Sequence, residues 1–183
     1  MFYMPKYHNL SDGRQVFLRF PDPDYHAAPL IDFHKQVCGE TPFLSDTAEE
    51  AAATAVETAA AELKAINADP NRLVVLAEVA GEIAGVGELS IIPKLRESHR
   101  AHLSLALREK YWGLGLGTLL MEALMGVANQ KGLDYLELLV IEDNARALRL
   151  YEKLGFERVC FLPDAFRRPD GTCWGEITMR KTL

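Results

Sequence analysis

Gly113, Gly115 and Gly117 alternate through the run Trp112-Gly113-Leu114-Gly115-Leu116-Gly117-Thr118, and the strongest helical stripe of the chain begins inside it. A strand is expected to end at Leu107, so the loop carries the chain from strand to helix after the turn Arg108-Glu109-Lys110. Such a junction is an anion site. The first N–H groups of a helix have no acceptor within the helix, and the helix dipole adds partial positive charge at that end. Glycines remove the Cβ atoms that would keep a phosphate from these amides.

Several phosphate ligands use loops of this kind. A Walker loop needs Lys before its Ser or Thr, whereas here Thr118 follows Gly117 directly. A dinucleotide fingerprint G-x-G-x-x-G needs glycine at 118, where the residue is Thr. Glu137 stands about where a ribose-binding acid would be, so on spacing alone the dinucleotide alternative stays open. So does a loop whose glycines only shape a turn.

A second run, Asn144-Ala145-Arg146-Ala147-Leu148-Arg149-Leu150-Tyr151-Glu152-Lys153-Leu154-Gly155-Phe156, reads as a helix stopped by glycine. Asn144 and Tyr151 lie about two helical turns apart and share one face, roughly 10 Å apart along the axis. Taken alone, Asn144 reads equally as a helix cap, and Tyr151 as a core aromatic with a satisfied hydroxyl.

Together the two runs resemble the GNAT superfamily of N-acetyltransferases. That family's pyrophosphate loop has the form Gln/Arg-x-x-Gly-x-Gly/Ala. Gly115 and Gly117 fill its two small positions, and Trp112 replaces the usual first Gln or Arg. Asn144, Ala147, Tyr151, Gly155 and Phe156 fill every named position of the family's Asn-x-x-Ala-x-x-x-Tyr-x-x-x-Gly-Phe segment. The resemblance implies acetyl-CoA as acyl donor, its pyrophosphate held mainly by backbone amides of Trp112, Gly113, Leu114, Gly115, Leu116, Gly117 and Thr118. It places the pantetheine arm near Asn144 and Ala147, beside the strand Leu105-Ala106-Leu107, whose N–H groups would polarise the thioester carbonyl. Tyr151 would stand by the thioester sulfur as general acid.

Such a reaction is direct transfer to a neutral amine within a ternary complex. Deprotonating an alkyl amine of pKa near 10.4 at pH 7 costs about 4–5 kcal/mol, so a base is useful. Glu88, on the strand beside the cofactor strand, and His102, on that strand opposite its leucines, are the candidates. Each also reads as an ordinary surface or structural residue. His99 and His102 would fall on opposite faces of a strand, so no metal is expected. Cys38, Cys160 and Cys173 include no CxxC pair and no His–Cys spacing that supports an acyl-cysteine route.

The elements that must position these groups follow from periodicity. Residues 1–12 read as an irregular arm and 14–20 as a first strand. Helices are expected from Asp24 to about Val37, with Gly39 as a stop, and continuously from Asp46 or Thr47 to about Asn67. Residues 73–79 and 82–92 form a hairpin across Gly81, and 101–107 alternate cleanly. Leu116, Leu119, Leu120, Ala123, Leu124, Val127 and Ala128 make a half-buried helix. Tyr135 to Ile141 reads as a strand buried on both faces, followed by the helix 143–154. Two last strands, 156–162 and 172–180, flank the turn Arg168-Pro169-Asp170-Gly171. The fold class is α/β (α+β), a single GNAT-like domain over 1–183. It has a mixed, mostly antiparallel sheet of about seven strands and about four helices.

The chain has 183 residues, a net charge of −6 and 49% hydrophobic content. This acidic balance lacks the basic face of a nucleic-acid binder. No stretch approaches the roughly 20 apolar residues of a membrane span, and no signal peptide is apparent. A cytoplasmic location follows as the default. Family resemblance leaves the acceptor open among antibiotics, amino acids, polyamines, small amines and protein N-termini or lysines. The closing segment Arg167 to Glu176 resembles that of small-molecule acetyltransferases and favours a small amine. A homodimer fits the family too, and a non-catalytic CoA-binding regulatory domain is the alternative from another functional class.

Overall fold

The computed structural model describes residues 4–168 and 170–183. The elements in chain order are β1 (Lys6–Asn9), β2 (Gln15–Arg19), α1 (Pro23–Glu40), α2 (Ala48–Ala52), α3 (Val56–Ala68), β3 (Arg72–Val79), β4 (Glu82–Ile91) and β5 (Arg100–Leu107). They continue with α4 (Leu116–Gln130), β6 (Tyr135–Ile141), α5 (Ala145–Lys153), β7 (Glu157–Arg167) and β8 (Cys173–Thr182). Among the described residues one sheet of eight strands runs in the order β1-β2-β3-β4-β5-β6-β8-β7, antiparallel throughout except where β5 meets β6.

The mixed, mostly antiparallel sheet agrees with the expected class, with eight strands and five α-helices among the described residues in place of about seven and about four. The additional strand is β1, in the segment expected to be irregular. Its residues gain order from a partner: Tyr7 pairs with Phe17 and stacks on its ring at 4.4 Å. The long helix expected from 46 to 67 is two helices. Thr47 caps α2 in a reciprocal capping box with Glu50, and the chain leaves helical geometry before Ala55, the extended N-cap of α3. In α3, Val56 is 45% exposed, while Leu63 and Ile66 are buried. Gly39 does not stop α1, which continues to Glu40 and ends where Thr41 turns extended.

The two faces of the sheet differ. One carries Leu73, Val75, Leu89, Ala101, Leu103, Leu136, Leu138 and Met179, all buried, and packs against α4 and α5. Gly85 and Gly87 of β4 allow this closeness, since a Cβ on either would sit 3.0 Å from a leucine methyl of α4 (Leu120 or Leu124). Each fully buried leucine of α4 removes enough apolar surface from water to contribute about 2 kcal/mol. The other face is covered only in part, where α1 and α3 set Phe33, Val37 and Ile66 against Val74, Leu76 and Ile83. Below that patch the face is polar. Leu139 of β6, expected to be buried on both sides, is 57% exposed there because no helix covers it.

The turn predicted at 168–171 includes Pro169, which lies outside the described residues. Its neighbours close the hairpin through Arg168 N–H to Thr172 O at 2.8 Å, with Gly171 at φ +86.

Candidate active site

β5 and β6 begin as neighbours and then part. Register pairs join only Arg100, Ala101 and His102 to Tyr135, Leu136 and Glu137. Beyond them β5 stays with β4 and β6 with β8, so the sheet opens into a slot. A cleft of about 540 Å³ follows this slot through the sheet.

The closed end is pinned by charge. Glu137 is 4% exposed and accepts from Arg180 at 2.5 and 2.9 Å and from Arg100 at 3.2 Å, joining β5 and β8 through β6. Its carboxylate is therefore engaged as a structural pin, far from the role of a ribose-binding acid. That removes the support the dinucleotide reading drew from it.

The slot exposes backbone. Arg108 N–H donates to Ala84 O on the β4 side at 3.1 Å. The carbonyl of the same peptide, Leu107 O, must then point the other way, and it accepts Trp112 Nε1 at 3.1 Å. Strand alternation turns the N–H groups of Leu105 and Leu107 into the slot, while those of Ala106 and Ser104 pair with β4. The Leu105 and Leu107 amides have no acceptor among the described residues.

On the α4 side the glycine loop follows Trp112, the residue of that run that lines the cleft, and Gly117 packs against the lining residues Leu107 and Leu150. Gly113 and Gly115 have φ +76 and +86, and Gly115 is the left-handed N-cap of α4 with no side-chain cap. A Cβ on either would meet nothing within 4 Å, so backbone conformation, rather than crowding, requires glycine there. Gly117 is different. Its Cβ would lie 3.0 Å from Leu150 and 3.2 Å from Leu107, so this glycine seats the start of α4 against β5 and α5. The N–H groups from Gly113 to Thr118 have no acceptor among the described residues. Open space over two glycines and a row of free amides is what a diphosphate needs.

Trp112 and Arg146 form a feature that motif reading missed. The Arg146 guanidinium lies 3.5 Å from the centre of the Trp112 ring, and both line the cleft. A cation in the first turn of α5 opposes the helix dipole, and that local conflict was the available sequence signal. Asn144 is the N-cap of α5, its Oδ1 accepting Ala147 N–H at 3.1 Å, and it lines the cleft as well. Ala147 follows on the same wall. Tyr151 is 7% exposed and also lines the cleft; burial pushes its phenol up to about 12. Its hydroxyl has no hydrogen-bond partner among the described residues.

The opposite mouth, on the half-covered face, holds side chains. Glu88 pairs with Ser104 and His102 with Ser90 across β4 and β5, and all four line the cleft. Both Arg72 contacts to Glu88, at 3.0 and 2.7 Å, fall on Oε1, leaving Oε2 without a partner. Glu176 of β8 lines the same mouth and was not singled out from sequence. A string of alternating polar residues on β8 looks like any solvent face. Phe43 and Phe166 add apolar wall; Phe43 is braced by Trp174 at 5.6 Å. Trp174 itself donates to Asp143 at 2.6 Å, in a structural role. No group of His, Cys, Asp and Glu among the described residues could hold a metal ion.

A slot between parallel strands, near a glycine loop at a helix start, is an arrangement that suits a phosphate-bearing cofactor. The sequence matches the Acetyltransferase (GNAT) family over residues 40–156. The chain belongs to that family and is an acyl-CoA-dependent N-acetyltransferase. Solved structures agree in fold. A GNAT-family acetyltransferase of Streptococcus pneumoniae is 27% identical with a TM-score of 0.85, the alignment covering 92% of this chain and 99% of that one. A ribosomal-protein-alanine N-acetyltransferase of Brucella melitensis is 21% identical, with a TM-score of 0.78 and coverage of 91% and 99%. The yncA protein of Salmonella typhimurium, solved with its cofactor acetyl-CoA, is 18% identical, with a TM-score of 0.78 and coverage of 92% and 94%.

Proposed function

We propose that the chain acts as one unit over residues 1–183, in the cytoplasm, and moves an acetyl group from acetyl-CoA to a small primary amine by direct attack in a ternary complex. The observation that carries this reading is the slot: free amides and the apolar wall at one mouth, titratable side chains at the other. Acetyl-CoA supplies an activated acyl thioester.

Amides from Gly113 to Thr118 take the diphosphate, with Arg146 adding positive charge beside them. The wall of Asn144, Ala147 and Leu150 directs the arm into the slot. The Leu105 N–H, held by the β4–β5 ladder, donates to the carbonyl oxygen as charge grows there. Glu88, through its free Oε2, takes the proton of the attacking nitrogen, directly or through a water. His102 stands on the same face as a second acceptor for that proton. The C–S bond breaks as the N–C bond forms.

Tyr151 faces the leaving sulfur. A phenol near 12 stays neutral across the working range, so it remains a donor. Passing its proton fully to a thiolate of pKa about 8.5 runs uphill by about 4–5 kcal/mol. Its role is therefore a hydrogen bond that holds the departing thiolate, which takes its proton from the solvent or from the acceptor's base.

Incubating the protein with acetyl-CoA and a panel of primary amines tests the reading. Acetylated amine and free CoA thiol should appear in equal amounts. CoA bound without turnover on any amine would instead favour a regulatory CoA-binding domain.

A further inference from the structure

The acceptor mouth contains one carboxylate that the chemistry above does not use. Glu176 is half-buried on β8, directly opposite Ile141 of β6, and lines the cleft. No hydrogen bond or ion pair engages its carboxylate among the described residues. Glu137, two register steps down β6 from Leu139, has two arginines; Glu88 has Arg72; Glu176 has none. A carboxylate in a cleft with no partner in the protein is free to take a hydrogen bond or a positive charge from a ligand.

The cations of the cleft lie elsewhere. Arg146 stacks on Trp112 at the cofactor mouth, and Arg72 does not line the cleft but holds Glu88. The described residues lining the acceptor mouth include no Lys or Arg, while the carboxylates of Glu88 and Glu176 both line it. An acceptor bearing its own carboxylate next to the amine would meet Glu176 with no guanidinium or ammonium to receive it. Phe43, Phe166 and Leu139 give this mouth an apolar part that suits a hydrocarbon or aromatic body, beside the hydroxyls of Thr41, Ser45, Ser90 and Ser104.

We infer that Glu176 is the specificity-determining residue that captures the acceptor as its ammonium form. The acceptor class is then a primary amine on an apolar body, without a carboxylate beside the nitrogen. This deepens the proposed function and rests on it. Glu176 collects the cation, and Glu88 across the slot removes its proton as the nitrogen reaches the thioester.

Matched pairs that differ only in the α-carboxylate test this: 2-phenylethylamine against phenylalanine, and isoamylamine against leucine. Binding of each is measured by calorimetry to the CoA-loaded protein, and kcat/KM by CoA thiol release. The wild type should prefer the amine of each pair by about tenfold or more, the scale of one charge-assisted hydrogen bond. Glu176→Gln should weaken amine binding by about tenfold and shrink that preference, with CoA affinity and the pH profile of kcat unchanged. Normal CoA affinity in the variant also certifies its fold. Charge reversal in Glu176→Arg should turn the preference towards phenylalanine and leucine.

The inference is overturned if the wild type favours the amino acids, if it binds neither amine while CoA binds, or if Glu176→Gln leaves both amine affinity and the ratio unaltered. Loss of the proposed function itself would look different: no CoA binding, or no acetyl transfer to any acceptor.

Discussion

The two mouths of the cleft are made of different material. On the α4 side the proposed contacts are chiefly main-chain amides, set by glycine dihedrals and the start of one helix, with the Trp112–Arg146 pair beside them. On the α1 side they are side chains from β4, β5, β8 and the segment after α1, brought together only by the sheet. A backbone site has a local sequence grammar, because glycines and a helix start must be adjacent in the chain. A side-chain site assembled from distant strands has none. The first mouth can therefore be recognised in many chains, while the second is free to change its ligand.

Substitutions should divide along this line. The largest effect is expected at Gly115, whose φ of +86 forbids a branched side chain. Gly115→Val should weaken acetyl-CoA binding by about 100-fold or more while circular dichroism stays native, and Gly115→Asn, which tolerates left-handed geometry, by about tenfold or less. Equal losses for the two would mean that crowding, not conformation, matters there. At the other mouth, Glu88→Gln should lower kcat about 100-fold at neutral pH with little change in the KM for acetyl-CoA. If kcat holds, His102 takes over as the base to examine.

Between the mouths, Tyr151→Phe should cut kcat by about 10- to 100-fold, more than it raises the KM for acetyl-CoA. Tyr151 also makes a prediction without turnover. Burial raises its phenol from 10.0 to about 12, so the unfolded chain loses that proton first. The stability that the neutral buried phenol confers is intact below pH 10 and is lost as pH rises towards 12. Urea titrations of the wild type should show about 2–3 kcal/mol of decline across that window beyond what Tyr151→Phe shows. A smaller effect belongs to Asn144→Ala. Loss of the cap on Ala147 N–H should cost about 1 kcal/mol of stability, read as a lower Tm.

What sequence could show follows from the same contrast. The α4 stripe, the β3–β4 hairpin, the glycine loop and the Asn144–Phe156 run were legible because each is a local pattern with a fixed period or spacing. Glu88 and His102 were found only as polar residues on suitable strands, and the sheet brings both to one mouth. Glu176 was missed because its meaning depends on which cations lie nearby, which no spacing records. β1 was missed because its order comes from Phe17 and its neighbours rather than from its own residues. The break between α2 and α3 was hidden by alanine, which favours helix on both sides of Thr54 and Ala55.

Glu137 has a wider consequence. Three register pairs and one carboxylate between two arginines are the fulcrum on which the two halves of the sheet diverge. The span of the opening grows from that fulcrum outward, as the gap of a pair of tongs depends on its rivet. If the acyl group enters there as proposed, room for a bulkier one is expected to depend on Arg100, Glu137 and Arg180, residues that need never touch it.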